Sequence, residues 1–439
     1  MRRALLLATL VIPAAGCADG AGAPGDPGGA RNLIVISIDT LRADRLGCYG
    51  AERATSPALD AFAAGAVRFE RAYAAAPWTL PSHVTMLSGL LPSVHGVDQP
   101  DLRPGRDTRL LAEVLRDAGY YTFAGTDGGW LGADFDLDRG FRAFDDADVD
   151  FEARLDRALE RIDAVHGVRP FFAFLHTYDV HCPYTPGAPY DGMFASDGAR
   201  AIETEGRCGN PDFNLLDLDA AEARFLADRY DGGIRRADDA LGEFLAELEA
   251  RGVLDDTVVV VTSDHGEEFL EHGRIGHEGS VYPELLHVPL VVRAPGVEPG
   301  VRAEPVGLVD LVPTVLELLD VAPPDDLDGA SLAGALRGEP ASARPVHAEL
   351  AWGRTLAAWI DGETLFVVSD ERVERYDLAS DPLAARDLST DDAATAARID
   401  ALRASLRPAS ARTPLPALPG REAAEMLERL GYVGADDDR

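Results

Sequence analysis

The chain has little that would let it hold nucleic acid. Acidic residues outnumber basic ones 75 to 41, and the net charge is −34. Nucleic acid is gripped through its phosphates by a basic face, so non-specific binding of DNA or RNA is excluded. The same field repels any anionic substrate at long range, so such a substrate needs a local cation to hold it. In its plainest sense the charge is a solvated acidic surface. Aromatic residues make up only 7% of the chain. Beyond the N-terminus no run is long and apolar enough to span a bilayer. Cysteine is scarce, with four residues in 439. Three of them, Cys48, Cys182 and Cys208, lie past the N-terminal segment, so at most one disulfide forms among them. Cys182 and Cys208 flank an irregular region and can pair in an exported protein. Their spacing does not resemble a zinc–cysteine site. What is present, 46% hydrophobic residues, suffices for one large domain or for a large and a small one.

The N-terminus reads as a processing signal. Arg2-Arg3 precede an apolar run from Ala4 to Pro13 that is too short to span a bilayer as a mature helix. Ala14-Ala15-Gly16-Cys17 follows and resembles a bacterial lipoprotein signal, which implies cleavage before Cys17 and lipidation of that residue; an ordinary signal peptide is the alternative. Residues 17 to 31, rich in Gly, Ala and Pro, read as a flexible tether. The expected location is the bacterial cell envelope, exported and lipid-anchored.

Leu33 to Ile38 (LIVISI), Phe171 to Leu175 and Val258 to Val261 are short aliphatic or aromatic runs. They read as strands buried on both faces, as in a parallel sheet. Tyr120 to Ala124 and Pro289 to Val292 are further strands. Helices are expected over 55–65, 107–118, 151–166 and 310–319. A long one runs from Asp219 to Arg251, with Gly232-Gly233 a candidate break. Alternation of this kind predicts an α/β fold with a doubly wound sheet and helices on both faces. Residues 185–217 have no period and read as a surface excursion. After about residue 340, strands at 355–360, 364–368 and 373–377 predict a small C-terminal antiparallel sheet, followed by helices over 391–406 and from about 421 to 430. The expected division is 1–16 signal, 17–31 tether, 32–340 catalytic α/β domain and 341–439 small α+β subdomain.

Polar residues cluster at four strand or loop ends: Asp39-Thr40, Trp78 to His83, His176 to His181, and Asp264-His265. In open α/β sheets the ligand crevice lies at the carboxyl ends of the strands. A carboxylate beside an imidazole there can bind a divalent cation. Hydrolysis of a phosphate or sulfate ester needs a nucleophilic oxygen, a cation to lower its pKa, and donors for the transferred group's oxygens. Asp39, Asp264 and His265 can hold the cation, with Thr79 as fourth ligand and nucleophile. His83, His181 and His277 can grip the ester's oxygens or protonate the leaving group. Ser82 is the alternative attacking oxygen, or a helix N-cap. His176 reads equally as a structural histidine or a ligand. His272, near Glu271 and Arg274, reads as a loop residue or a partner of the site. His95 and His287 read as structural, Asp310 as a helix cap or brace, and Trp78 as pocket wall or core.

The strings NLIVISIDTLRADRLGCYG, APWTLPSHVTMLSGLLPSVHGV, HTYDVHCPY, TVVVVTSDHGEEFLEHGRIGHEG and LLHVPLVVRAPG, in this order, resemble the sulfatase family of the alkaline phosphatase superfamily. DLDGASLAGALRG and ERYDLASDPLAARDLS resemble that family's small C-terminal sheet. The resemblance implies an alkaline-phosphatase-like fold, metal ligands at Asp39, Asp264 and His265, a nucleophile at Thr79, and substrate contacts at His83, His181 and His277. Three departures stand out. Sulfatases proper carry Cys or Ser at the nucleophile position and oxidise it to formylglycine. Thr79 cannot yield that aldehyde, because its Cβ bears a methyl group and would give a ketone. The motif's usual Arg is His83, which loses a bidentate fork, and the second Asp of the opening pair is Thr40.

The expected protein is therefore a metal-dependent hydrolase of sulfate or phosphate esters, working through a covalent Thr79 ester on small-molecule or envelope-derived anionic substrates. Alternatives are a transferase acting on envelope acceptors and a degenerate binding protein. The expected cofactor is one divalent ion, with zinc or manganese favoured over calcium. A second ion, held by Asp179 or His181 with His277, stays open.

Overall fold

A computed structural model describes residues 31–203, 218–340, 344–390, 393–405, 412–417 and 419–430. The expectations for the signal segment, for Cys17 and for Cys208 fall outside these residues. Cys182 is disulfide-bonded, with its partner outside the described residues. No helix among the described residues is long and apolar enough to cross a membrane.

The runs NLIVISI, FFAFLHT and TVVVVT form the strands Asn32–Ile38, Phe171–Thr177 and Thr257–Thr262, and every residue in them is buried. They lie side by side and parallel at the centre of a nine-stranded mixed sheet. Tyr121–Gly125 and Ala143–Asp145 extend the parallel part on one side. His287–Arg293 joins antiparallel on the other side, followed by Val67–Tyr73. Strand side chains alternate between the faces. Leu33, Val35, Val258 and Val260 therefore pack into one core, and Ile34, Ile36, Val259 and Val261 into another. Each such aliphatic residue contributes roughly 1.5–3 kcal/mol on full burial, and a layer on each face is what a run without polar alternation requires.

The long helix Ala220–Ala250 covers one face and is continuous. Gly232 and Gly233 do not break it. A Cβ on Gly232 would sit 2.7 Å from the Tyr190 carbonyl oxygen, and one on Gly233 3.2 Å from that of Asp179. The pair thus lets the 178–192 segment press its backbone against the helix. Asp219 caps this helix, accepting from the Ala221 and Glu222 amides, and Glu222 returns a bond to the Asp219 amide.

The helices Thr79–Ser88, Leu111–Asp117 and Leu311–Leu318 cover the other face. The C-terminal antiparallel sheet has four strands, Val346–Leu350, Leu356–Asp361, Thr364–Val368 and Val373–Asp377. One of its faces joins the same core, through Ala348, Ala358, Ile360 and Val367. Trp359, Phe366 and Val368 on its other face are covered by Ile399 and Leu402 of the helix Ala393–Ser405.

Candidate active site

Strand register builds the site. Ser37 pairs with His176 on one side and Thr262 on the other. The three central strands therefore end level, and Asp39, His176 and Asp264-His265 emerge at one edge. The Asp39 amide donates to the Thr177 carbonyl at 3.0 Å, and the Thr40 amide donates to Asp264 Oδ1 at 3.3 Å. Thr40 holds a left-handed φ of 57°, a conformation that strains a β-branched residue. Its hydroxyl turns back to the Asp39 carbonyl at 2.7 Å.

Thr79 arrives from the covering layer. Thr79 is the first residue of the fully buried helix Thr79–Ser88, and Trp78 at the cap position offers no side-chain acceptor. The helix's partial positive charge is thus directed at the Thr79 hydroxyl, where it favours developing negative charge. Thr79 Oγ1 lies 3.3 Å from Asp39 Oδ2, to which it donates, and 3.3 Å from His265 Nε2. Ser82, one turn on, donates to the Asp264 carbonyl at 2.7 Å and so braces that loop.

Asp39, Asp264 and His265 are wholly buried, and their donor atoms lie within 4.8 Å of one another. Asp39 Oδ1 and Asp264 Oδ2 have no hydrogen-bond partner. Burial, and then the neighbouring Asp264, push the Asp39 carboxyl well above the usual range, and burial also raises Asp264. Two such carboxylates repel unless a proton or a cation lies between them. His265 Nδ1 donates to the Gly266 carbonyl at 2.9 Å, which fixes the tautomer and turns the Nε2 lone pair toward the carboxylates. An imidazole and two orphaned carboxylate oxygens are a donor set that fits one divalent ion.

Above this floor the imidazoles stand in sequence. The His277 ring is 4.5 Å from that of His265 and 5.0 Å from that of His181. His277 Nδ1 meets Glu267 Oε1 at 2.9 Å, and His181 Nδ1 donates to the Cys182 carbonyl at 2.7 Å. Burial lowers both histidines to about 3, and it lifts Glu267 to about 7.

The model of the family described as Sulfatase matches residues 31–321. The chain belongs to the sulfatase family. It is 24% identical to an arylsulfatase of Clostridium perfringens, over 80% of this chain and 88% of the relative. It is 31% identical to the multifunctional alkaline phosphatase superfamily protein PehA of Trinickia caryophylli, over 40% of this chain and 39% of that one, so that match spans about two-fifths of either protein. Among solved structures, the phosphonate monoester hydrolase of Agrobacterium radiobacter superposes with a TM-score of 0.70 at 21% identity, covering 89% of this chain and all of the other. A structure complexed with its substrate D-glucosamine-2-N,6-O-disulfate superposes at 0.71, with 18% identity and 93% of this chain covered.

Within this sulfatase-family site, Asp39, Thr79, Asp264 and His265 come together, and His181 and His277 stand beside them. His83 is placed differently from the expectation that it grips the ester. One helical turn after Thr79, its ring lies under the floor. Nδ1 donates to the Thr79 carbonyl at 2.9 Å and sits 3.4 Å from Asp264 Oδ2, and Nε2 meets Ser37 Oγ at 3.0 Å. Both nitrogens are engaged within the protein, so His83 positions Thr79 and Asp264 and does not replace an arginine fork. Asp179 pairs with Arg236 at 3.7 Å, whereas the His181 and His277 rings lie 5.0 Å apart, so of the two options for a second ion the structure brings together His181 with His277. The other cluster with metal-like spacing is Glu268, His272 and Glu284. There His272 Nδ1 meets Glu284 Oε1 at 2.5 Å and Nε2 meets the Ala384 carbonyl at 3.0 Å. With acceptors at both nitrogens the ring is an imidazolium. Burial pulls its pKa down, but the bond to Glu284 outweighs this and lifts it to about 9.

Sequence reading left one site residue open and passed over another. His176, open between a structural histidine and a ligand, donates from Nε2 to Asp39 Oδ2 at 3.2 Å and so orients that carboxylate. Glu267 was passed over although it sits two residues after His265. An acid on the metal loop could have drawn attention, but its partner His277 is ten residues away and meets it only in the fold.

Proposed function

We propose that this sulfatase-family ester hydrolase cleaves phosphate or sulfate esters by attack of Thr79 Oγ1, forming and then hydrolysing a covalent Thr79 ester. The observation that carries the reading is the place of that hydroxyl: at a helix N-terminus and 3.3 Å from both Asp39 Oδ2 and His265 Nε2. Asp39, Asp264 and His265 would hold the divalent ion, which when bound supplies a lowered pKa at the hydroxyl and counter-charge for the transferred oxygens. Asp39 Oδ2, already accepting from Thr79, is placed to take its proton. A bond then forms from Oγ1 to phosphorus or sulfur as the bond to the alcohol oxygen breaks. The His277–Glu267 pair holds one transferable proton between its hydrogen-bonded groups, gives it through His277 to the departing alcohol and takes one back from the water that attacks next. That attack releases inorganic phosphate or sulfate and restores the Thr79 hydroxyl. His181, beside His277, orients the transferred group.

Ester turnover by metal-loaded protein, across phosphate mono- and diesters, phosphonates and sulfate esters with zinc, manganese or calcium, tests this. Thr79→Ala is expected to lose about 10⁴-fold in kcat, while Thr79→Ser keeps measurable activity. Undiminished turnover by Thr79→Ala would exclude this nucleophile.

The mature chain is proposed to be exported and anchored in the cell envelope by lipid on Cys17, on the strength of Ala14-Ala15-Gly16-Cys17. Labelled fatty acid should enter the full-length protein and not Cys17→Ala. Equal labelling of the two would refute the anchor.

A further inference from the structure

Between the catalytic loop and the four-stranded sheet lies a cavity of about 440 Å³, whose lining includes Arg274, Ser280, Tyr282, Arg354, Ser369 and Arg372. We propose that this cavity binds a second oxyanion group, carried on the alcohol part of the ester substrate, through Arg274 and Arg354. The inference rests on the hydrolase reading above and adds the substrate class.

Charge pairing separates the three arginines. Arg372 forms an ion pair with Glu374, and the same carboxylate accepts from the Tyr282 and Tyr376 hydroxyls at 2.7 and 2.6 Å. Asp387, the other acid on the wall, accepts from the Arg375 and Ser389 amides at 3.2 and 2.8 Å. Both carboxylates are thus engaged. Arg354 Nη1 donates to the Gly279 carbonyl at 3.1 Å. Neither Arg274 nor Arg354 forms an ion pair with a carboxylate among the described residues. In a chain with 75 acidic and 41 basic residues, carboxylate partners are in ample supply. Two arginines kept unpaired on one cavity wall leave forked donors of the geometry that carboxylate, sulfate and phosphate groups accept. His272 also lines this wall, its charge paired with Glu284.

Position ties the cavity to the reaction. The two guanidiniums flank Gly279: Arg354 bonds its carbonyl, and a Cβ there would lie 2.8 Å from Arg274 Nη1. Gly279 is two residues from His277, and the amide of the intervening Glu278 donates to the Pro77 carbonyl at 3.3 Å, two residues before Thr79. Trp352, two residues before Arg354, packs its ring 5.0 Å from that of Trp78. The cavity thus shares its wall with the loop that carries His277, two residues before Gly279.

Two measurements decide the matter. In kinetics, wild-type kcat/KM for glucose 1,6-bisphosphate should exceed that for glucose 1-phosphate at least about tenfold. Arg274→Met combined with Arg354→Met should erase the ratio through KM with kcat held. An equal preference in wild type, or parallel losses on both substrates in the variant, overturns the inference even if ester hydrolysis itself is established. In calorimetry, inorganic phosphate titrated into wild type and into the double variant should show one binding event fewer in the variant. Identical isotherms also overturn it, and this arm stands whether or not Thr79 is the nucleophile. If the double variant melts early, the single Arg354→Met variant, altered at an exposed residue, carries both measurements.

Discussion

Two imidazole–carboxylate pairs lie in the segment after Asp264, and they differ in almost everything but composition. His277 meets Glu267 at 2.9 Å, and His272 meets Glu284 at 2.5 Å. Burial holds His277 down at about 3 and lifts Glu267 to about 7, whereas His272 is lifted to about 9. The difference lies in what opposes burial. His272 Nδ1 and Nε2 meet Glu284 and a backbone carbonyl, and the pairing with Glu284 outweighs burial in the charged ring. His277 is wedged against the rings of His265 and His181, and burial dominates there. One pair is a neutral, polarisable acid–base couple, and the other is a fixed ion pair bracing the loop against the segment that holds Ala384. The same two side-chain types become chemistry or scaffolding according to what the fold sets opposite them.

The comparison breaks most visibly at His277. His277→Asn should lower kcat by about 10³-fold, in the range of general acid–base catalysis, with little change in melting temperature. A small kcat effect would mean that His277 is not the proton carrier. The bracing pair should show the opposite profile. Glu284→Gln removes the counter-charge of a largely buried imidazolium, and up to about 3 kcal/mol of stability should go with it at neutral pH. The sign follows from the raised pKa. The group's contribution is fully present below pH 6.5 and is lost as pH rises through about 9. Denaturant melts of wild type should thus weaken across that window, and those of Glu284→Gln should be flatter. Parallel curves would deny the charged pair. The smallest effect is expected at Glu267→Gln, which keeps a hydrogen bond to His277 but removes the titratable carboxyl behind it. A loss in kcat of about tenfold is expected, and no loss would place Glu267 outside the proton path.

Much of the site was legible because it hangs on strand ends. LIVISI and VVVV could only be strands buried on both faces, and the residues just past them, Asp39 and Asp264-His265, then had to share one edge. Thr79 was legible as a residue but not as a helix start: the segment 79–88, with Pro81 and several Ser and Thr, carries little helical preference and is held in a helix by complete burial. The strand Val67–Tyr73, with Arg and Glu inside it, hid for the related reason that only some of its side chains face a core. His83 was misjudged because its spacing from Thr79 fixes the turn of a helix and not which way that turn faces. The Gly232-Gly233 pair read as a break because nothing local shows a second backbone waiting to pack there.

The sequence alone determined the α/β class, the parallel core and the meeting of Asp39, Asp264 and His265 at one strand edge, because unbroken apolar runs and the polar residues ending them are local facts. It also settled that no formylglycine forms at Thr79, which is a matter of one methyl group. Tertiary structure decided which histidine stands beside Thr79 and which lies beneath it, which acid tunes which ring, and which arginines lack a carboxylate partner among the described residues. Those outcomes depend on distances between segments far apart in the chain, and a proton's energy follows what surrounds it in space.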